Sequence, residues 1–245
     1  MWFEPPPSVP DWSAAVRHLR GTGPRMAALI DRVGPCTLAP RGDPFIALCQ
    51  SIFSQQISVA AAASLFGKFR RLFPKGTPTP AGVVRVFDTT PAEQLKAVGL
   101  SRQKHAYVRD LAEHFVAKKI PVRRLPAMTD EEVVEALTAV NGVGRWTAEM
   151  FMIFVLNRPD VFPVDDLGLQ EGMREVLELS ARPKPAEARR LGEPWGPWRS
   201  VATWYLWRRD VKPPPAAASL PTTVSAAAAK VRTAAVRPSA RAKRR

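Results

Sequence analysis

The chain has 245 residues, 46% of them hydrophobic, a net charge of +14 and two cysteines. Length and apolar content suffice for a packed core, in one large domain or two small ones. No apolar run reaches membrane-span length, and MWFEPPPSVPDW lacks a basic region ahead of an apolar one, so neither a span nor a signal peptide is expected and the expected location is cytoplasmic.

In chain order, the pattern predicts only helices. No segment sustains period-two alternation, and Pro/Gly punctuation recurs throughout. Asp11 opens a short helix to about Arg20, and a second runs from Pro24 to Val33, ended by Gly34-Pro35. Asp43-Pro44 opens FIALCQSIFSQQ, with aspartate as N-cap and proline at the first helical position. Ser58 opens VAAAASLFGKFRRLF, stopped by Pro74. Thr90 to Glu93 reads as a capping box before QLKAVG, and Ser101 opens RQKHAYVRDLAEHFVAKK. Thr129 to Glu132 is a second box, opening VVEALTAV. RWTAEMFMIFVLN follows the glycine-containing stretch VNGVGRW. Asp165-Asp166 starts LGLQEGMREVLEL, and Pro197 starts WRSVATWYLWRR.

Residues 211–245 carry eight of the Lys/Arg side chains and no acid. A segment so rich in Ala, Pro and basic residues is expected to be a disordered basic arm, either for a polyanion or simply solubilising. Cys36 and Cys49 read as buried free thiols; two thiolates fall short of an iron–sulfur cluster, which takes about four. His18, His105 and His114 show no metal spacing.

The stretch Val140-Asn141-Gly142-Val143-Gly144-Arg145-Trp146 lies between two predicted helices. It lacks the third glycine of a dinucleotide fingerprint and the Gly-Lys-Ser/Thr of a P-loop. Two readings fit it: a tight corner between helices with a glycine cap, or a hairpin whose backbone N–H groups hold a phosphate at a helix N-terminus. The following loop leads to Asp166, 22 positions after Gly144. Taken alone, the aspartate pair would be an ordinary N-cap.

LTAVNGVGRWTAEMFMIF followed by DVFPVDDLGL resembles the helix-hairpin-helix DNA glycosylases, and within them the alkylated-base branch. SIFSQQISVAAAA, VGLSRQKHAYVRDLA and WGPWRSVATWYLW extend the resemblance over about residues 40–210. Asn141 stands where the family often has proline. The resemblance implies an all-α, two-lobed fold with the active cleft between lobes. Its expected parts are N-terminal helices over 1–46, a central bundle with the hairpin over 47–157, a C-terminal lobe carrying the aspartate over 158–210, and the basic tail.

It also implies roles. Asp166 matches the catalytic aspartate, with Asp165 left as cap or structural neighbour. Bifunctional relatives carry a lysine nucleophile where Trp146 stands, so hydrolysis without strand cleavage is expected. Trp146, Met150, Trp204 and Phe53 are the expected base-pocket residues, with Trp207 a further aromatic candidate. Gln56 is the expected wedge, flanked by Gln55 and Ser58. Gly142, Val143, Gly144, Arg145 and Thr147 are expected at the DNA backbone, with Arg102 and Lys104. The carbonyls of Thr138, Val140 and Val143 are candidate ligands for a monovalent cation; no other cofactor is expected. The implied activity is removal of alkylated purines of the 3-methyladenine and 7-methylguanine type from double-stranded DNA by a monomer. The alternatives are a same-fold glycosylase for ethenylated or deaminated bases, or a non-catalytic damage-binding module.

Overall fold

The computed structural model describes residues 9–211; the first eight residues and the basic tail beyond Val211 lie outside the described residues. Within them the chain is helical, with no strand. The helices are α1 (Ser13–Gly21), α2 (Pro24–Val33), α3 (Pro44–Ser54), α4 (Val59–Arg70), α5 (Pro80–Thr89), α6 (Ala92–Val98), α7 (Arg102–Val116), α8 (Asp130–Thr138), α9 (Arg145–Phe154), α10 (Leu167–Val176), α11 (Pro185–Gly192) and α12 (Arg199–Leu206).

Most starts are set locally. The side chains of Asp43, Ser58 and Ser101 accept the backbone N–H three residues on, at 3.0, 3.2 and 3.2 Å. Thr129 and Glu132 form the reciprocal box before α8. Such caps are each worth about 1 kcal/mol. Thr90 forms no such box: it ends α5, and α6 starts behind Pro91 without a side-chain cap. The sequence reading also lacks α5 and α11. Helix α5 is rich in Val and holds Gly82, so its intrinsic helix preference is weak. It forms because Thr79 caps it and its apolar face packs on α7.

Helices α1 and α2 pack with α10 and α12, while α3 packs with α4, α7 and α9. The two groups share one continuous apolar core, running from Trp12 through Phe53, Leu111 and Ile153 to Tyr205. At Gly172 a Cβ would stand 2.7 Å from the Leu206 carbonyl, so glycine permits the close crossing of α10 and α12.

The loop between α9 and α10 is pinned over residues 158–161. Arg158 donates to Asp130 and to the carbonyls of Leu125 and Met128. Asp160 takes a bidentate ion pair from Arg199 at 2.8 and 2.6 Å. The Val161 N–H donates to Ser200 Oγ at 2.9 Å. This loop delivers the chain to Asp166.

Candidate active site

Asp166 is the N-cap of α10: its Oδ1 accepts the Leu169 N–H at 2.6 Å. The capping role expected of Asp165 therefore belongs to Asp166 itself, while Asp165 is exposed. The same Oδ1 accepts the indole N–H of Trp207 at 2.8 Å, and Oδ2 accepts that of Trp146 at 2.8 Å. Three N–H donors from three helical segments thus fix one carboxyl group in place. Each such bond to a charged acceptor is worth about 1.5–3 kcal/mol, and together they hold its plane.

Asp166 stands at the wall of a cavity of about 570 Å³, within the usual range for small-ligand sites. Trp146, Trp207, Met150, Thr147 and Phe154 line it, with Phe53 and Phe66 beneath. Trp146 is 44% exposed, the wrong burial for an ordinary core indole. Phe154 stacks on Trp207 at 5.7 Å between centroids, and the Arg41 guanidinium covers its ring at 4.3 Å. The cavity is therefore aromatic, with one carboxylate and one guanidinium at its edge, and among the described residues no lysine lines it.

Trp204 does not line this cavity, which corrects the sequence reading. It is buried in the core at 4% exposure, edge-on to Tyr205 and covered by the Arg208 guanidinium at 3.7 Å. Helix α12 is buried along its length and ends at Leu206. Trp207, the C-cap of α12, keeps helical backbone angles and donates its N–H to the Thr203 carbonyl at 3.0 Å, and its indole reaches Asp166. Phe53 is fully buried, and only its ring under the pocket floor relates to the site.

The hairpin adjoins this cavity. Gly142 adopts φ +84°, and a Cβ there would stand 2.2 Å from the Tyr107 ring, so two constraints demand glycine. Gly144 caps α9 without a side chain, and nothing lies within 4 Å of its absent Cβ. The first N–H groups of α9 are thereby left open to approach. Thr147, one turn in, is 5% exposed and faces the cavity instead of the hairpin surface. The Val143 N–H is taken by the Val140 carbonyl at 3.1 Å, so it is not a free donor. Asn141 uses its N–H to reach Asp110 at 2.7 Å, a bond that proline could not make.

Gln56 sits in the α3–α4 turn, exposed, at φ +61°. Gln55 Nε2 donates to the Gly142 carbonyl at 2.8 Å, which ties this turn to the hairpin. Ser58 is spent as the α4 cap. Two of the three cations expected at phosphate are otherwise engaged. Arg145 forms a bidentate pair with Glu131 at 3.0 and 2.6 Å. Lys104 Nζ donates to the Phe53 carbonyl at 2.6 Å, and burial lowers its pKa. Arg102 is exposed at the start of α7.

The sequence reading missed Arg41, Phe154 and Glu149. Glu149 is a buried acid on α9, and burial pushes it up to about 7.

A family model described as HhH-GPD superfamily base excision DNA repair protein matches residues 49–197. An alkylbase DNA glycosidase-like protein of Schizosaccharomyces pombe is 35% identical over 203 residues, covering 81% of this chain and 93% of the relative. DNA-3-methyladenine glycosylase 1 of the same yeast is 34% identical over 196 residues, covering 78% and 84%. Among solved structures, the S. pombe 3-methyladenine DNA glycosylase in complex with abasic DNA superimposes with a TM-score of 0.70 at 32% identity, covering 80% of this chain and 95% of that one. A DNA-3-methyladenine glycosidase from Bacillus halodurans gives 0.69 at 31%, covering 79% and 88%.

Proposed function

The chain belongs to the HhH-GPD superfamily of base excision DNA repair proteins, and from that premise we propose that it is a monofunctional glycosylase releasing alkylated purines from double-stranded DNA. The observation that carries the reading is Asp166, locked by Trp146, Trp207 and the Leu169 N–H at the wall of an aromatic cavity. The fission-yeast relative is solved with abasic DNA, the product class that this reading assigns to the reaction.

A base inside a duplex cannot reach Asp166, so the nucleotide must be extruded. Gln56, exposed on its left-handed turn, enters the gap, and its bond-linked neighbour Gln55 keeps the turn in register with the hairpin. The open N-terminus of α9 receives a backbone phosphate without reading sequence. The extruded base enters between indole and phenyl rings. A purine methylated at a ring nitrogen is cationic, and an electron-rich face gains about 0.5–2 kcal/mol from it.

As the glycosidic bond lengthens, positive charge grows on the sugar. The Asp166 carboxylate stabilises that charge and orients or deprotonates the attacking water. The cationic base departs neutral, so no acid is required. Trp146 occupies the position of the amine nucleophile and supplies an N–H to Asp166, which leaves no Schiff-base route.

The carbonyls of Thr138, Val140 and Val143 fit a monovalent cation as hard oxygen donors, though Val140 already accepts one N–H. Such an ion would add positive charge to the hairpin. We read the enzyme as acting as a monomer.

Methylated duplex DNA incubated with the protein should yield free methylated purine and an unbroken strand, cut only by later alkali. Absence of free base, or an adduct trapped by borohydride, would contradict the reading.

A further inference from the structure

Helix α9 carries a carboxyl group that no step above uses. Glu149 is 8% exposed, and its Oε2 is sealed from solvent without a hydrogen-bond partner in the chain. It stands three positions after Trp146, whose indole N–H holds Asp166. The charged groups facing it are Arg145 on its own helix, Asp165 and Asp166 ahead of α10, and Arg189 on α11. Neither arginine is seated on it: among the described residues Glu149 makes no ion pair, and Arg145 is committed to Glu131.

A buried carboxylate with no partner is costly, and the group escapes the cost by keeping its proton. Burial is the main influence, raising the Glu149 pKa to about 7; Arg145 and Arg189 oppose the rise, while Asp165 and Asp166 add to it. Loss of the proton would place a third negative charge beside Asp165 and Asp166, one turn below the N–H groups of α9 that face the DNA. It would also draw Arg145 inward, away from Glu131, and so disturb the turn that carries Trp146.

We propose that Glu149 is a positioning residue that works in its neutral form, keeping the start of α9 free of added negative charge so that the DNA strand and Trp146 are held for reaction. The inference rests on the glycosylase reading for its catalytic consequence, and on DNA binding for its primary one.

The test measures binding of the full chain to duplex DNA holding an uncleavable abasic analogue, at about pH 6 and about pH 8.5 and fixed salt, for wild type and Glu149→Gln. Wild type should bind roughly three- to tenfold more weakly at the higher pH, and the isosteric, neutral Gln variant should bind alike at both. Single-turnover base release from methylated DNA should follow the same pattern. A purely structural role would lower the variant's unfolding temperature and leave the pH dependence in place. Wild type without pH dependence, a folded Gln variant that keeps it, or a folded variant weak at both pH values overturns the proposal. Should the variant fail to fold, the carboxyl ¹³C titration of Glu149 in wild type decides: a midpoint near 7 supports the neutral form, and one near the ordinary 4.5 overturns it. Binding uses uncleavable DNA, so absence of base release from wild type would count against the glycosylase reading alone.

Discussion

Trp207 Nε1 donates to Asp166 Oδ1 across 2.8 Å, joining the end of α12 to the N-cap of α10. A residue 41 positions downstream thereby sets the orientation of the carboxyl group on which the proposed chemistry depends. The same oxygen caps the helix, so one side chain serves folding as well as the proposed reaction.

Trp207→Phe keeps a ring to stack on Phe154 and removes the N–H. Single-turnover base release should fall about tenfold to a hundredfold, the worth of one hydrogen bond to a charged group. Affinity for uncleavable abasic DNA should stay within about twofold of wild type, since the hairpin is untouched. Unchanged base release would mean that Trp146 and Leu169 hold Asp166 without help.

Gly142→Ala combines a left-handed φ with a Cβ placed against the Tyr107 ring. Denaturant unfolding should show a loss of more than about 1 kcal/mol. DNA affinity should fall as well, because Gln55 anchors the α3–α4 turn, the proposed wedge, on the Gly142 carbonyl. A variant with wild-type stability and affinity would show that the hairpin tolerates another backbone path.

Residues 212–245 hold eight basic side chains. Removing them should weaken DNA binding mostly at low salt and flatten the slope of log affinity against log salt, through fewer released counterions. Equal slopes for the full and shortened chains would assign the tail to something other than DNA.

The parts of the molecule legible in the sequence are the parts fixed by short-range chemistry. Asp43, Ser58, Ser101 and Thr129 announce their helices because a cap needs only its own next three residues. The hairpin is legible because Gly142 answers a backbone demand. Helix α5 is not, since its valines and Gly82 argue against a helix until α7 supplies the packing. The exchange of Trp204 for Trp207 has the same origin. Both lie on one predicted helix, and which ring reaches Asp166 depends on how α12 packs: Trp204 is buried in the core while Trp207 faces the cavity. Asp166 as cap and Asp165 as bystander could not be told apart by type, because either aspartate suits an N-cap. Glu149 has no signal in the sequence: an acid within MFMIF-type apolar text becomes notable only once its burial and its charged neighbours are known.

The central claim is that the Asp166 carboxylate performs the bond cleavage. Its most direct test is single-turnover release of methylated purine by wild type and Asp166→Asn, with binding to uncleavable abasic DNA measured alongside. The amide oxygen can still accept from Trp207 and cap α10, while its NH2 meets the Trp146 N–H, so a stability cost of about 1.5–3 kcal/mol is expected for the lost bond. Base release by Asp166→Asn should fall by at least about a thousandfold, roughly 4 kcal/mol of transition-state stabilisation, with DNA binding retained. Release at the wild-type rate from the folded variant would contradict the account.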